Sequence, residues 1–167
     1  MHIESVTDPL KRSEICNTIL RSLPEWFAVE ASVEEYAEAV RGLPFFAACQ
    51  GNRPLGFAAI RAHNPYTAEV FVMGVLPEYH RQGIGSRLIG HAEDYCRRFG
   101  HSYLTVKTLD GSAAYEPYER TREFYRRQGF IPLEVFPQLW DERNPCLFLV
   151  KHLACPCAGR REEGEKT

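Results

Sequence analysis

The stretch from Val75 to Ile89 constrains this chain more than any other. Before it, an apolar run from Glu69 to Val75 reads as a strand covered on both faces. Pro77 cannot continue a ladder, and from Ile84 onward Leu88, Ile89, Ala92, Tyr95, Cys96 and Phe99 recur at helical spacing. A strand therefore ends, a glycine turn follows, and an amphipathic helix opens. Gly83 and Gly85 let the backbone approach a ligand with no Cβ in the way, and the first-turn amides of a helix have no intrahelical acceptor. Such a turn is built to hold phosphate oxygens. Arg81 and Arg87 add positive charge beside it, and Ser86 adds a hydroxyl.

The rest of the chain supplies alternating strands and helices around this turn. His2 to Val6 reads as a short strand, and Asp8 with Pro9 opens a helix carrying Leu10, Ile15, Ile19 and Leu20. Ser32 and Glu35 have capping-box spacing for a second helix over Val33, Tyr36, Ala37 and Val40. Phe45 to Gln50 and Leu55 to Ala62 form a hairpin around the turn residues Gly51 to Pro54, and Pro65 marks the turn into the Glu69 strand. After Gly100, a strand is expected over Tyr103 to Leu109, a polar loop over Asp110 to Pro117, and a helix from Glu119 to Gln128. Two last strands, Phe130 to Phe136 and Leu147 to Leu153, are joined by a loop. This order gives an α/β fold: a mixed sheet of about six or seven strands with helices on both faces.

At 167 residues and 44% hydrophobic, the chain suits one domain over 1–154, with a charged tail over 155–167 that lacks apolar periodicity and is expected to be disordered. A net charge of -2 offers no overall attraction to nucleic acid or to an anionic membrane. No apolar run is long enough to span a bilayer and no signal region opens the sequence, so a cytoplasmic location is expected. Cys16, Cys49, Cys96 and Cys146 stand singly in apolar settings, as reduced core residues do. Cys155 and Cys157 lack the further ligands a structural metal needs, so no metal is expected.

Spacing separates the phosphate-binding motifs. A Walker-type loop needs Lys and then Ser or Thr after its last glycine, where this chain has Ser86 and Arg87. A dinucleotide fingerprint needs a small residue where Leu88 stands. The frame His80-Arg81-Gln82-Gly83-Ile84-Gly85 instead resembles the pyrophosphate loop of the GNAT family of N-acetyltransferases: Arg or Gln, two residues, Gly, one residue, then Gly or Ala. His80 departs from it at the first position. The segment Arg120 to Phe130 resembles the family's second signature, an aromatic pair (Phe124, Tyr125) before a Gly-Phe strand start, with Tyr118 and Thr121 where many members have Asn and Ala. The resemblance covers Phe45 to Leu153, and implies a mostly antiparallel sheet and acetyl-CoA as co-substrate.

It further implies direct transfer of an acetyl group to a primary amine of a small molecule or peptide in a ternary complex, with no nucleic acid or membrane partner; a homodimer is compatible with it. The alternative is a non-catalytic acyl-CoA-binding regulatory module. Cofactor contacts fall on Met73 and Val75, whose backbones would pair with the pantetheine arm, and on Arg81, Gln82, Gly83, Ile84, Gly85, Ser86 and Arg87. Gly74 suggests a bulge that splays the strand. Tyr125 matches the family's usual general acid, and Glu69, six residues before Val75, has the offset of the catalytic glutamate of histone-type members. Trp26, Phe27 and Tyr36 fall in the region that forms the acceptor wall, and Asp141 and Glu142 in a late loop beside it. His63, His80 and His91 show no partner in the sequence and read as surface or cap residues.

Overall fold

The computed structural model describes residues 1–153, and the segment holding Cys155, Cys157 and the charged tail lies outside them. In chain order the elements are β1 (His2–Ser5), α1 (Pro9–Arg21), α2 (Glu30–Ala39), β2 (Phe45–Gln50), β3 (Arg53–Ala62), β4 (Thr67–Val75), α3 (Ile84–Arg98), β5 (Tyr103–Leu109), α4 (Glu116–Arg127), β6 (Ile131–Asp141) and β7 (Asn144–His152). They form a seven-stranded mixed sheet in the order β1-β2-β3-β4-β5-β7-β6. Every neighbouring pair is antiparallel except β4 with β5.

Both faces are covered. α1 and α2 bury Ile15, Ile19, Leu20 and Val33 against Phe45, Phe57 and Val72. On the opposite face α3 buries Leu88 and Ile89 against Phe46, Ile60, Val70, Leu104 and Leu149, and Tyr125 of α4 joins that cluster. Phe45 and Phe46, adjacent in β2, thus serve opposite cores, as the two-residue period of a strand requires.

Several boundaries differ from those read in the sequence. Asp8 caps α1 as expected, accepting from Leu10 N at 2.9 Å. The Ser32–Glu35 box does not form: α2 begins at Glu30, whose charge suits the positive end of the helix, and Ser32 N already bonds Val29 O at 3.1 Å. Pro117 is not loop but lies in the first turn of α4, where its missing N–H costs nothing, so the helix starts three residues early. The Pro137 to Pro145 loop is largely strand, because β6 is an edge whose outer N–H groups need no partner, and proline is tolerated there.

The feature that shapes the site is a split in the sheet. β4 and β5 pair only at Thr67↔Tyr103, Ala68↔Leu104 and Glu69↔Thr105, and then diverge. β5 stays fully paired to β7 through Leu109, while β4 follows β3. The bulge that turns β4 away is at Phe71, since Ala59 pairs with Val72 and Ile60 with Val70. Gly74 is not the bulge. It pairs regularly with Phe57, and a Cβ on it would lie 3.0 Å from both Ile19 Cγ2 and Leu23 Cδ1, so its role is close packing of α1 on the sheet.

Candidate active site

The split leaves one edge of β4 without a strand partner. Leu76 N donates to Leu55 O of β3 at 2.9 Å, so by alternation Gly74 and Leu76 address β3 while Met73 and Val75 address the gap. The carbonyl of Val75 is engaged by His80, whose Nε2 lies 2.7 Å from it. The family's usual Arg or Gln is thus replaced by a ring that ties the loop back to the strand end. The Val75 amide and the Met73 backbone remain for a ligand in the gap.

Beyond β4 a single 3-10 turn over Pro77–Tyr79 leads into the glycine turn. Arg81 (φ 59) and Gly83 (φ 80) both take left-handed conformations, which aims successive amides to one side. Among the described residues, the amides of Arg81, Gln82, Gly83, Ile84, Gly85 and Ser86 donate to no carbonyl or side chain; the next, Arg87 N, bonds Gly83 O at 3.1 Å. No acidic residue stands in the first turn of α3. The Gln82 side chain turns back onto Glu78 O at 3.0 Å, and Ser86 Oγ accepts from Gln128 at 3.0 Å, tying the loop to the end of α4. Both side chains thus have an internal partner, although the Ser86 hydroxyl, accepting there, keeps its own proton to donate. The ring of Phe124 closes over Gly85.

Tyr125 lies on the α3 face of the sheet, 6% exposed, with ring centroids 5.1 Å from Phe124 and 5.5 Å from Phe130. Among the described residues its hydroxyl has no hydrogen-bond partner. Burial pushes the phenol well above its ordinary range, which keeps it protonated at physiological pH. Thr108 follows Leu104 and Val106 on the same face of β5, and its Oγ1 is buried with no partner among the described residues. An unpaired buried hydroxyl beside a free strand edge suits a ligand that brings its own amides.

Glu69 opens to the other face at the apex of the split. Its side chain is 4% exposed, with Oε1 at 2.9 Å from Lys107 Nζ and Oε2 at 2.7 Å from His63 Nε2. Beside this trio lies a cavity of about 390 Å³ lined by His63, Thr67, Lys107, Phe136, Leu139 and Phe148. His63 lies at the surface, yet it has in Glu69 a partner that the sequence did not show. Its proximity follows from the β3–β4 reversal: with Ala62 paired to Ala68, the turn at Asn64 and Pro65 brings position 63 back beside the start of β4. That register, not residue type, was the signal in the sequence.

The aromatic residues divide. Tyr36 packs edge-on with Phe27 and tilted against Phe71, ring centroids 5.8 and 5.4 Å away, and its phenol is raised by burial and then by the Glu69 charge, which places it near the trio. Trp26 instead crosses to α4: its Nε1 donates to Thr121 Oγ1 at 2.9 Å, and its carbonyl accepts from Tyr118 OH at 3.2 Å. The two residues that depart from the second signature thus fasten the α1–α2 link. Asp141 accepts from Arg143 N and Asn144 Nδ2, both at 2.8 Å, and serves the β6–β7 turn.

A split sheet with free amides at its mouth defines an acyl-transfer scaffold, and comparison with known proteins agrees. The model of the acetyltransferase (GNAT) family matches residues 13–130. An uncharacterised N-acetyltransferase of Chlorobaculum tepidum is 30% identical over 134 residues, 78% of this chain and 76% of that protein. Among solved structures, an aminoglycoside 6'-N-acetyltransferase complexed with coenzyme A superposes with a TM-score of 0.74 at 20% identity, covering 92% of this chain and 98% of that one. The ribosomal-protein-S18-alanine N-acetyltransferase of Escherichia coli gives 0.71 at 19% identity, covering 95% and 97%. The chain belongs to the acetyltransferase (GNAT) family and is an acyltransferase.

Proposed function

We propose that this protein transfers an acetyl group from acetyl-CoA to a primary amine of a small molecule or peptide, by direct attack in a ternary complex. The observation that carries this is the run of six unbonded amides, Arg81 to Ser86, at the mouth of the gap between β4 and β5. A pyrophosphate at those amides, flanked by Arg81 and Arg87, sends the pantetheine arm along the free edge of β4, where Met73 and Val75 bond it as a neighbouring strand would. A neighbour of the same fold is complexed with coenzyme A, which supports this placement.

The two faces of the sheet then divide the chemistry. Tyr125, on the α3 face, is held neutral by burial and supplies a proton to the departing thiolate. The Glu69 trio, on the other face, receives protons from the amine, and an amide at the gap polarises the thioester carbonyl. The amine nitrogen forms the new C–N bond as the C–S bond breaks. An acyl-CoA-binding regulator would need no proton donor, and the Tyr125 hydroxyl, without a partner among the described residues, favours the enzyme. Four free buried cysteines, Cys16, Cys49, Cys96 and Cys146, accord with a reducing compartment such as the cytoplasm.

The test is thiol release from acetyl-CoA with a panel of arylalkylamines, free amino acids, short peptides with free N-termini and an aminoglycoside. Turnover with at least one amine is expected, and Tyr125→Phe should lower kcat by about 10²–10⁴ while leaving coenzyme affinity within about twofold. Coenzyme binding without turnover on any of them would establish the regulator instead.

A further inference from the structure

The basic side of the site has a direction. The two oxygens of Glu69 are occupied by Lys107 and His63, and its carboxylate reaches solvent hardly at all. An ammonium could approach it only by displacing Lys107 or His63. A carboxylate accepts and does not donate, so a neutral His63 presents its proton on Nε2 toward Glu69, which leaves the lone pair on Nδ1. His63 lines the 390 Å³ cavity, as Lys107 does, with its side chain 36% exposed, and Nδ1 has no hydrogen-bond partner among the described residues.

We propose that His63 Nδ1 is the general base that takes the proton from the acceptor ammonium, with Glu69 as its positioning residue. The assignment rests on the acetyl-transfer reading. Glu69 fixes the tautomer and stabilises the imidazolium that forms, while Lys107 holds the second carboxylate oxygen. The nitrogen loses two protons in the reaction. One passes through His63 to solvent, and the other, by way of solvent, replaces the one that Tyr125 gives to sulfur. The C–N bond forms and the C–S bond breaks as above.

The charged and titratable groups around the imidazole come from five elements. Glu69 faces it from β4, Lys107 from β5, Arg61 stands opposite Glu69 on β3 with its guanidinium over Phe71 at 3.5 Å, Tyr36 lies beyond Glu69 on α2, and Cys146 lies on β7. Burial raises the Tyr36 phenol and pushes the Cys146 thiol up to about 11, so both are neutral near pH 7. Two cations against one anion leave the surroundings of a neutral His63 with an excess of positive charge. The far wall, Phe136, Leu139 and Phe148, adds only apolar surface. Monoamines with an apolar body are therefore the acceptors of choice for the test, and polycations the poorest.

The experiment compares wild type, His63→Gln, Glu69→Gln and Glu69→Asp, using the fastest amine of the panel. For His63→Gln, kcat/KM should fall about 10²–10⁴-fold and the acidic limb of its pH profile should vanish, with acetyl-CoA binding unchanged. Glu69→Gln should keep an acidic limb, displaced to lower pH, and Glu69→Asp should restore part of the rate. Independently of activity, nitrogen NMR of the folded enzyme should find the His63 proton on Nε2, with that preference lost in Glu69→Gln. An active wild type with an unaltered His63→Gln profile, or a proton found on Nδ1, overturns the assignment and leaves acetyl transfer standing. A wild type that binds acetyl-CoA and acetylates no amine overturns both.

Discussion

Replacing Gly85 by alanine tests whether α4 closes the glycine loop as described. Gly85 is the second residue of α3, and a Cβ there would lie 3.1 Å from Cζ and 3.2 Å from Cε2 of Phe124, with Met73 Cε at 3.8 Å. Carbon atoms ordinarily rest about 3.5–4.0 Å apart, so the ring must retreat by several tenths of an ångström. The Tyr125 ring, its centroid 5.1 Å away, packs against it. Overpacking of this kind costs about 1–3 kcal/mol, offset by about 0.5–1 kcal/mol from placing alanine rather than glycine in a helix. The balance is a loss of roughly 1 kcal/mol, or about 2–4 °C in Tm for a chain of this size. Scanning calorimetry of wild type, Gly85→Ala, Phe124→Leu and the double variant separates the two contributions. With Phe124 cut back the obstruction disappears, and the same Gly85→Ala change should stabilise. A Gly85→Ala protein no less stable than wild type, or equally destabilised in both backgrounds, would refute the packing argument. The family's loop admits alanine at this position, so the experiment probes this chain's own Phe124 rather than the motif.

His80→Ala removes the bond to the Val75 carbonyl, worth about 0.5–1.5 kcal/mol, and should weaken coenzyme binding roughly 2–13-fold by calorimetry, whereas His80→Gln should stay within about twofold. An unchanged His80→Ala affinity would mean the loop holds its shape without that tie. Burial pushes the thiols of Cys16 and Cys96 from their ordinary 9.0 to about 12. Below pH 9 both are protonated folded or unfolded; between those values only the folded chain keeps the protons, so stability falls as pH rises. A Cys16→Ala, Cys96→Ala variant should flatten that alkaline slope by up to about 2.7 kcal/mol per pH unit, measured by denaturant unfolding, and an unchanged slope would contradict it.

The glycine turn and the strand before it were legible because each is a local device, chain punctuation in one and a period in the other; the aromatic pair of α4 stood out only through its resemblance to a family signature. The split of the sheet was not, since it depends on Phe71 being skipped in the β3 ladder, and nothing in Val-Phe-Val marks which residue is left over. Gly74 looked the better candidate, but its lack of a side chain answers to Ile19 and Leu23, more than fifty residues upstream in sequence. Likewise Glu69 was visible as a carboxylate in an apolar strand, while its partners were not. Lys107 reaches it from a neighbouring strand and His63 through hairpin register, and both relations are tertiary. The same holds for Tyr118 and Thr121, departures from a motif in the sequence that become the anchor of Trp26 in space.

The most direct measurement is isothermal titration of acetyl-CoA into the folded protein, repeated with Gly83→Ala, whose Cβ strains the left-handed residue (φ 80) that aims the amides. Saturable binding at one site per chain is expected, with a Tm that climbs as coenzyme is added and a weaker affinity for the variant. Absence of heat and of any thermal shift, or equal affinity in both proteins, would contradict a pyrophosphate held by the amides of Arg81 to Ser86.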